Sequence, residues 1–140
     1  PATLEQAQFS LPFCLAVAAL KGPGALLPMS ADLLGDHQLT SFARKVSLHH
    51  DAGLEAEFPA RAGARLVVHT SKGVLSKEVQ HPRGDPDNPL SGEELAFKFH
   101  KLAGMLSGPE NAQAVVRAVM DLKNAGVGGL LSALKELDVE

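Results

Sequence analysis

The sequence predicts an α+β fold, a small antiparallel sheet with a β-hairpin at about residues 64–80 packed against several helices. Three observations predict it. An Ala- and Leu-rich segment, Leu11 to Lys21, lies between a capping serine and a Gly-Pro stop. Two runs of strand-forming residues flank Ser71-Lys72-Gly73. Beyond them, apolar residues recur at helical spacing in two further segments. The order of helices, then a sheet, then helices again is that of an α+β domain.

Taken in order, residues Pro1 to Phe9 show no clear periodicity. Ser10 is then read as an N-cap, with Pro12 in the first turn, where a missing N–H costs nothing. Gly22 and Pro23 stop this first predicted helix. It is apolar nearly all round, the signature of a helix buried on most faces. Phe13, Val17 and Leu20 therefore need cover, and the chain is expected to self-associate as a homo-oligomer or to borrow a neighbour. Ser30 opens a second helical region that breaks near Gly35-Asp36 and resumes over His37 to Lys45, with Leu39, Phe42, Ala43 and Val46 on one stripe. Val46 to His50 reads as a short strand, and Ala52 to Gly63 as a loop.

The clearest β signal is Ala64 to Thr70 and Val74 to Gln80, with Gly73 free to take the positive φ of a tight hairpin. His81-Pro82 ends the second strand. The segment His81 to Pro89 holds three prolines and is read as a rigid loop. Ser91 and Glu94 make a capping box for the next helix, striped by Leu95, Phe99, Leu102 and Leu106. Gly108 and Pro109 separate it from a helix near Glu110 to Lys123. Gly126, Gly128 and Gly129 break the chain again before a last helix, Leu130 to Leu137.

Composition excludes several function classes. A chain of 140 residues, 45% apolar and 21% charged, is an ordinary globular domain with its own core. Its formal net charge of −3 and its lack of a basic block argue against a nucleic-acid surface. The single cysteine, Cys14, rules out an internal disulfide and points to a reducing, cytoplasmic compartment. The apolar stretch Leu11 to Leu20 is too short to span a bilayer, so no membrane partner is expected. Proline rather than methionine stands first, which suggests a chain processed or cut from something longer.

Few residues form a chemical constellation. The six histidines (His37, His49, His50, His69, His81, His100) show no metal-ligand spacing with cysteines. His49 and His50, adjacent on the expected strand, would point to opposite faces. Cys14 lies in an apolar helix, where burial raises a thiol pKa, so packing explains it better than nucleophilic catalysis. The run Gly126-Val127-Gly128-Gly129 has no strand before it and no lysine after it, unlike a phosphate loop. Ser10 lacks the G-x-S-x-G setting of a nucleophile. The segment from Pro82 to Pro89 has two readings. As architecture, its prolines fix the path and Asp87 and Asn88 make turn hydrogen bonds. As a site, it presents Arg83 to an anionic ligand or positions a partner domain.

Three stretches carry a family resemblance. The first is Ala7-Gln8-Phe9-Ser10-Leu11-Pro12-Phe13 with the Ala-rich helix and Gly22. The second is Leu66-Val67-Val68-His69-Thr70-Ser71-Lys72-Gly73. The third runs from His81 through Ser91, with Glu93, Glu94, Lys98, Phe99, Leu102 and Ala103. Together they resemble the C-terminal part of the MmgE/PrpD proteins, which include 2-methylcitrate dehydratase, cis-aconitate decarboxylase and iminodisuccinate epimerase. The resemblance implies a lid domain that closes over a cleft formed with a large all-helical domain, which this chain lacks. It implies a small di- or tricarboxylate as substrate in the full-length protein, with proton removal beside a carboxylate as the shared chemistry. No metal or organic cofactor is implied. Most acid–base residues are placed in the helical domain, so this chain alone is expected to be inactive. Arg83, whose planar fork matches a carboxylate, and Ser10, at a helix N-terminus, are the candidate substrate-binding residues. Where Phe13 stands many relatives carry tyrosine, and this chain has none. A non-catalytic interaction domain or stand-alone subunit is the alternative reading.

Overall fold

The structure, a computed structural model, describes residues 1–137. They form two compact units, one from Pro1–Ser47 with the chain from Glu93 onward, the other Leu48–Gly92. Among the described residues no helix is long and apolar enough to cross a membrane.

The first unit begins with α1 (Leu4–Gln8) and α2 (Leu11–Lys21). The Thr3 hydroxyl accepts from the Gln6 N–H, and the Gln6 side chain accepts in return from the Ala2 N–H, so a reciprocal cap starts a helix of only five residues. Ser10 caps α2 as its sequence predicts, its hydroxyl accepting from the Phe13 N–H at 3.4 Å. Gly22, at φ 89°, ends α2 in a conformation that favours glycine. Two short 3₁₀ segments, Pro23–Leu26 and Ala31–Gly35, lead to α3 (His37–Ala43). Asp36 caps α3 by accepting from the N–H groups of Gln38 at 2.8 Å and Leu39 at 3.2 Å.

The core of this unit gathers Ala7, Phe13, Ala16, Val17, Met29 and Leu39, with Leu4, Leu26, Leu34 and Phe42 packed around them. Phe13, Leu39 and Val17 are its largest fully buried side chains. Thus α2 turns Phe13, Ala16 and Val17 inward and leaves Leu11 and Leu20 exposed.

The Asp36 carboxylate also pairs with Lys21 at 2.8 Å, tying the end of α2 to the start of α3. The Lys21 hydrogen bond and then the two backbone N–H groups hold its carboxyl below the ordinary range. A carboxyl whose folded pKa lies below its unfolded value stabilises the fold above the ordinary carboxylate pKa. It loses that contribution as pH falls through the lowered value. Urea unfolding across an acidic pH series is therefore expected to show a shallower acid loss of stability for Asp36→Asn than for the native chain. Parallel acid limbs would contradict this.

Three helices complete the unit: α5 (Gly92–Ser107), α6 (Pro109–Met120) and α7 (Leu122–Lys135), numbered after α4 (Ala52–Glu55) of the second unit. No residue of α5 is buried. The Lys101 ammonium on α5 donates to the Gly24 carbonyl. By contrast α6 buries Ala112 and Val115 and packs against α7. The Asn111 amide on α6 donates to the Glu136 carbonyl at 2.8 Å, closing this helical pair.

The helix break expected at Gly126, Gly128 and Gly129 falls at Gly126 alone, with φ 68° and ψ −176°. That region is open to glycine and strained for other residues. No neighbour lies within 4 Å of a Cβ there, so strain rather than collision opposes substitution. Gly126→Ala is expected to cost about 1–3 kcal/mol, read as a lower midpoint in thermal unfolding. An unchanged midpoint would show that α7 straightens without penalty.

The second unit holds α4 and the hairpin of β1 (Ala64–Thr70) and β2 (Gly73–Val79). The strands pair antiparallel from Ala64 with Val79 to Thr70 with Gly73. Gly73 takes φ 132°, and the Thr70 hydroxyl accepts from the Lys72 N–H and donates to the Gly73 carbonyl. One face carries Ala64, Leu66, Val68, Leu75 and Val79 with Lys77. The other carries Arg65, Val67, His69, Val74, Ser76 and Glu78. No residue from 48 to 92 is buried.

Three local expectations need correction. Residues 1–9 contain a helix, α1. The segment from Ala52 contains one helical turn, α4, capped by Asp51. Val46 to His50 is not a strand. Its only β-branched residue is Val46, and the hairpin strands pair only with each other among the described residues.

Candidate functional site

Residues 81–90 form the most tightly cross-linked loop of the second unit. The Asp85 N–H donates to the Pro82 carbonyl at 3.2 Å, the Asn88 N–H to the Asp85 carbonyl at 2.9 Å, and the Gly84 N–H to the Asn88 carbonyl at 2.8 Å. Gly84 sits at φ 107°, a position that suits glycine. The Asn88 amide nitrogen donates to the His81 carbonyl at 3.0 Å, closing the two ends of the loop. His81 Nδ1 lies 3.6 Å from the Asp87 carboxylate, an ion pair only when the imidazole is protonated.

Arg83 is exposed and built into this network. Its Nη1 donates to the Asn88 Oδ1 at 3.0 Å and to the Pro89 carbonyl at 2.5 Å. That nitrogen of the guanidinium is thus held by the loop's own acceptors. A fixed guanidinium is a better carboxylate receptor than a free one, because less side-chain freedom remains to be lost. The turn hydrogen bonds expected of Asn88 are present. What composition did not reveal is that one asparagine serves both Arg83 and His81.

Ser10 belongs to the first unit and Arg83 to the second. The Ser10 hydroxyl is half-buried and accepts the Phe13 N–H, so it does the capping work its position suggested. Phe13 is 1% exposed and sits in the core. Cys14 is half-buried. Its Sγ lies 3.4 Å from the Ala7 carbonyl and 3.5 Å from that of Gln8, and burial pushes the thiol pKa up. A raised pKa leaves little thiolate, the nucleophilic form.

A second polar cluster escaped the sequence reading. Asp51 accepts from the N–H groups of Gly53 at 3.0 Å and Leu54 at 3.3 Å. Its other oxygen meets Arg65 Nη1 at 2.9 Å, and the Arg65 Nε donates to Glu78 across the hairpin at 3.0 Å. The two backbone N–H groups, more than Arg65, hold the Asp51 carboxyl below its ordinary range. These groups satisfy one another and fasten α4 to the hairpin. The signal available in the sequence was an aspartate two and three residues ahead of a short apolar turn.

A shallow hollow at the α6–α7 turn is lined by Arg117, Ala118, Met120, Asp121 and Ala125, without a converging set of acids and bases. Among the described residues, no group of three or more His, Cys, Asp or Glu side chains is arranged to hold a metal ion.

The chain matches the family model of the MmgE/PrpD C-terminal domain over residues 1–122. A search of curated proteins and a search of solved structures each gave no match. The matched span takes in both candidate residues, the hairpin, the proline loop and every helix through α6, and it ends at Leu122, the first residue of α7. By that match the chain belongs to the MmgE/PrpD family, of which it carries the C-terminal domain.

Proposed function

We propose that this chain is the lid domain of a lyase or isomerase acting on a small di- or tricarboxylate, of the 2-methylcitrate dehydratase type. It closes over a cleft formed with an all-helical domain of the same protein, in the cytoplasm. The observation that carries this reading is the family match across residues 1–122.

The shared chemistry, proton removal beside a carboxylate followed by loss of water or carbon dioxide or by inversion, needs a placed acid and base. The helical domain supplies most of these in this reading. The lid supplies recognition. Arg83, oriented by Asn88 and the Pro89 carbonyl, offers its guanidinium to a substrate carboxylate. The apolar surface of α5, with Leu95, Met105 and Leu106 exposed, supports a partner that covers it. The alternative, a non-catalytic interaction domain, draws on that same surface and assigns Arg83 a purely structural part.

The full-length protein separates the two readings. A hydrogen bond to a charged group contributes about 1.5–3 kcal/mol. Arg83→Ala is therefore expected to raise KM for the carboxylate substrate roughly 10- to 100-fold, with a smaller change in kcat. Asn88→Ala provides the control, because it loosens the loop and keeps the guanidinium. It is expected to lower thermal stability as Arg83→Ala does, with a smaller rise in KM. If Arg83→Ala lowers stability and leaves KM unchanged, Arg83 is architecture and the substrate-binding role is wrong.

A further inference from the structure

We draw no further inference here: the strongest candidate, the apolar face of the β-hairpin formed by Leu66, Val68, Leu75 and Val79, lies exposed on the second unit, and nothing in the structure shows what covers it.

Discussion

Phe13→Ala is expected to unfold the first unit at much lower denaturant than the native chain withstands. Truncating a buried phenylalanine costs about 3–5 kcal/mol, the lost transfer energy adding to the cavity left behind. The setting favours the upper end of that range. Phe13, Leu39 and Val17 are the largest fully buried side chains, and alanines, Ala7 and Ala16, fill part of the remaining core. A methyl group has no length with which to refill a phenyl-sized hole. Domains of this size have a net stability of only about 5–15 kcal/mol, so one substitution removes a large part of it. Urea titration followed by far-UV circular dichroism measures the effect. Leu11→Ala, on the same helix but with its side chain 59% exposed, is the control, expected to shift stability by no more than about 0.5 kcal/mol. Equal midpoints for Phe13→Ala and the native chain would mean that the core does not depend on α2.

The second large effect concerns residues 48–92. A peptide of this span is expected to lack persistent structure in water, although it contains a complete hairpin. Two-stranded hairpins are marginal without a third strand or a packed helix. This one has no buried side chain to compensate. Its organising contacts are the Asp51–Arg65–Glu78 ion pairs, between side chains about a third to a half exposed, and the hydrogen bonds of the proline loop. Exposed ion pairs contribute at most about 1 kcal/mol each and are screened by salt. The cost of ordering each residue's backbone is of similar size, and there are far more residues to order than ion pairs. The amide proton spectrum of the peptide should be narrow and its thermal melt should lack a cooperative step. Dispersed amides with a cooperative melt would show that the hairpin and loop carry their own stability.

How far the sequence disclosed this structure depends on the length of each signal. For α2 every boundary marker is local: Ser10 accepts the Phe13 N–H, Pro12 fills the first turn, and Gly22 takes the positive φ that ends it. The hairpin was legible because strand-forming residues run through both strands and Gly73 stands at the turn. By contrast α1 and α4, of five and four residues, are too short to show the i, i+3, i+4, i+7 recurrence that reveals helices. Their caps, Thr3 with Gln6 and Asp51 alone, were the only trace. Val46 to His50 failed as a strand because a strand is fixed by a partner, which no local pattern supplies. At Gly126, Gly128 and Gly129 composition gave three equivalent places for one break, and the structure uses the first. The candidate site divides in the same way. Prolines announced a rigid loop around Arg83, but which acceptors would hold the guanidinium depended on how the loop closes. The acid–base residues of the proposed chemistry were not legible because that reading places most of them in another domain.

The hairpin has a last consequence, for the behaviour of the chain in concentrated solution. In a sheet of two strands both strands are edges, so each presents an outward row of N–H and C=O groups to which a foreign strand can be added. On β1 and β2 that template coincides with Leu66, Val68, Leu75 and Val79, a short segment pair of high β-propensity. Lys77 interrupts the apolar face with a charge, and Pro82 stops the ladder from lengthening beyond β2. Placed there, the two residues have the character of gatekeepers against fibrillar stacking, and removing the lysine charge would leave that face of the hairpin without a charge.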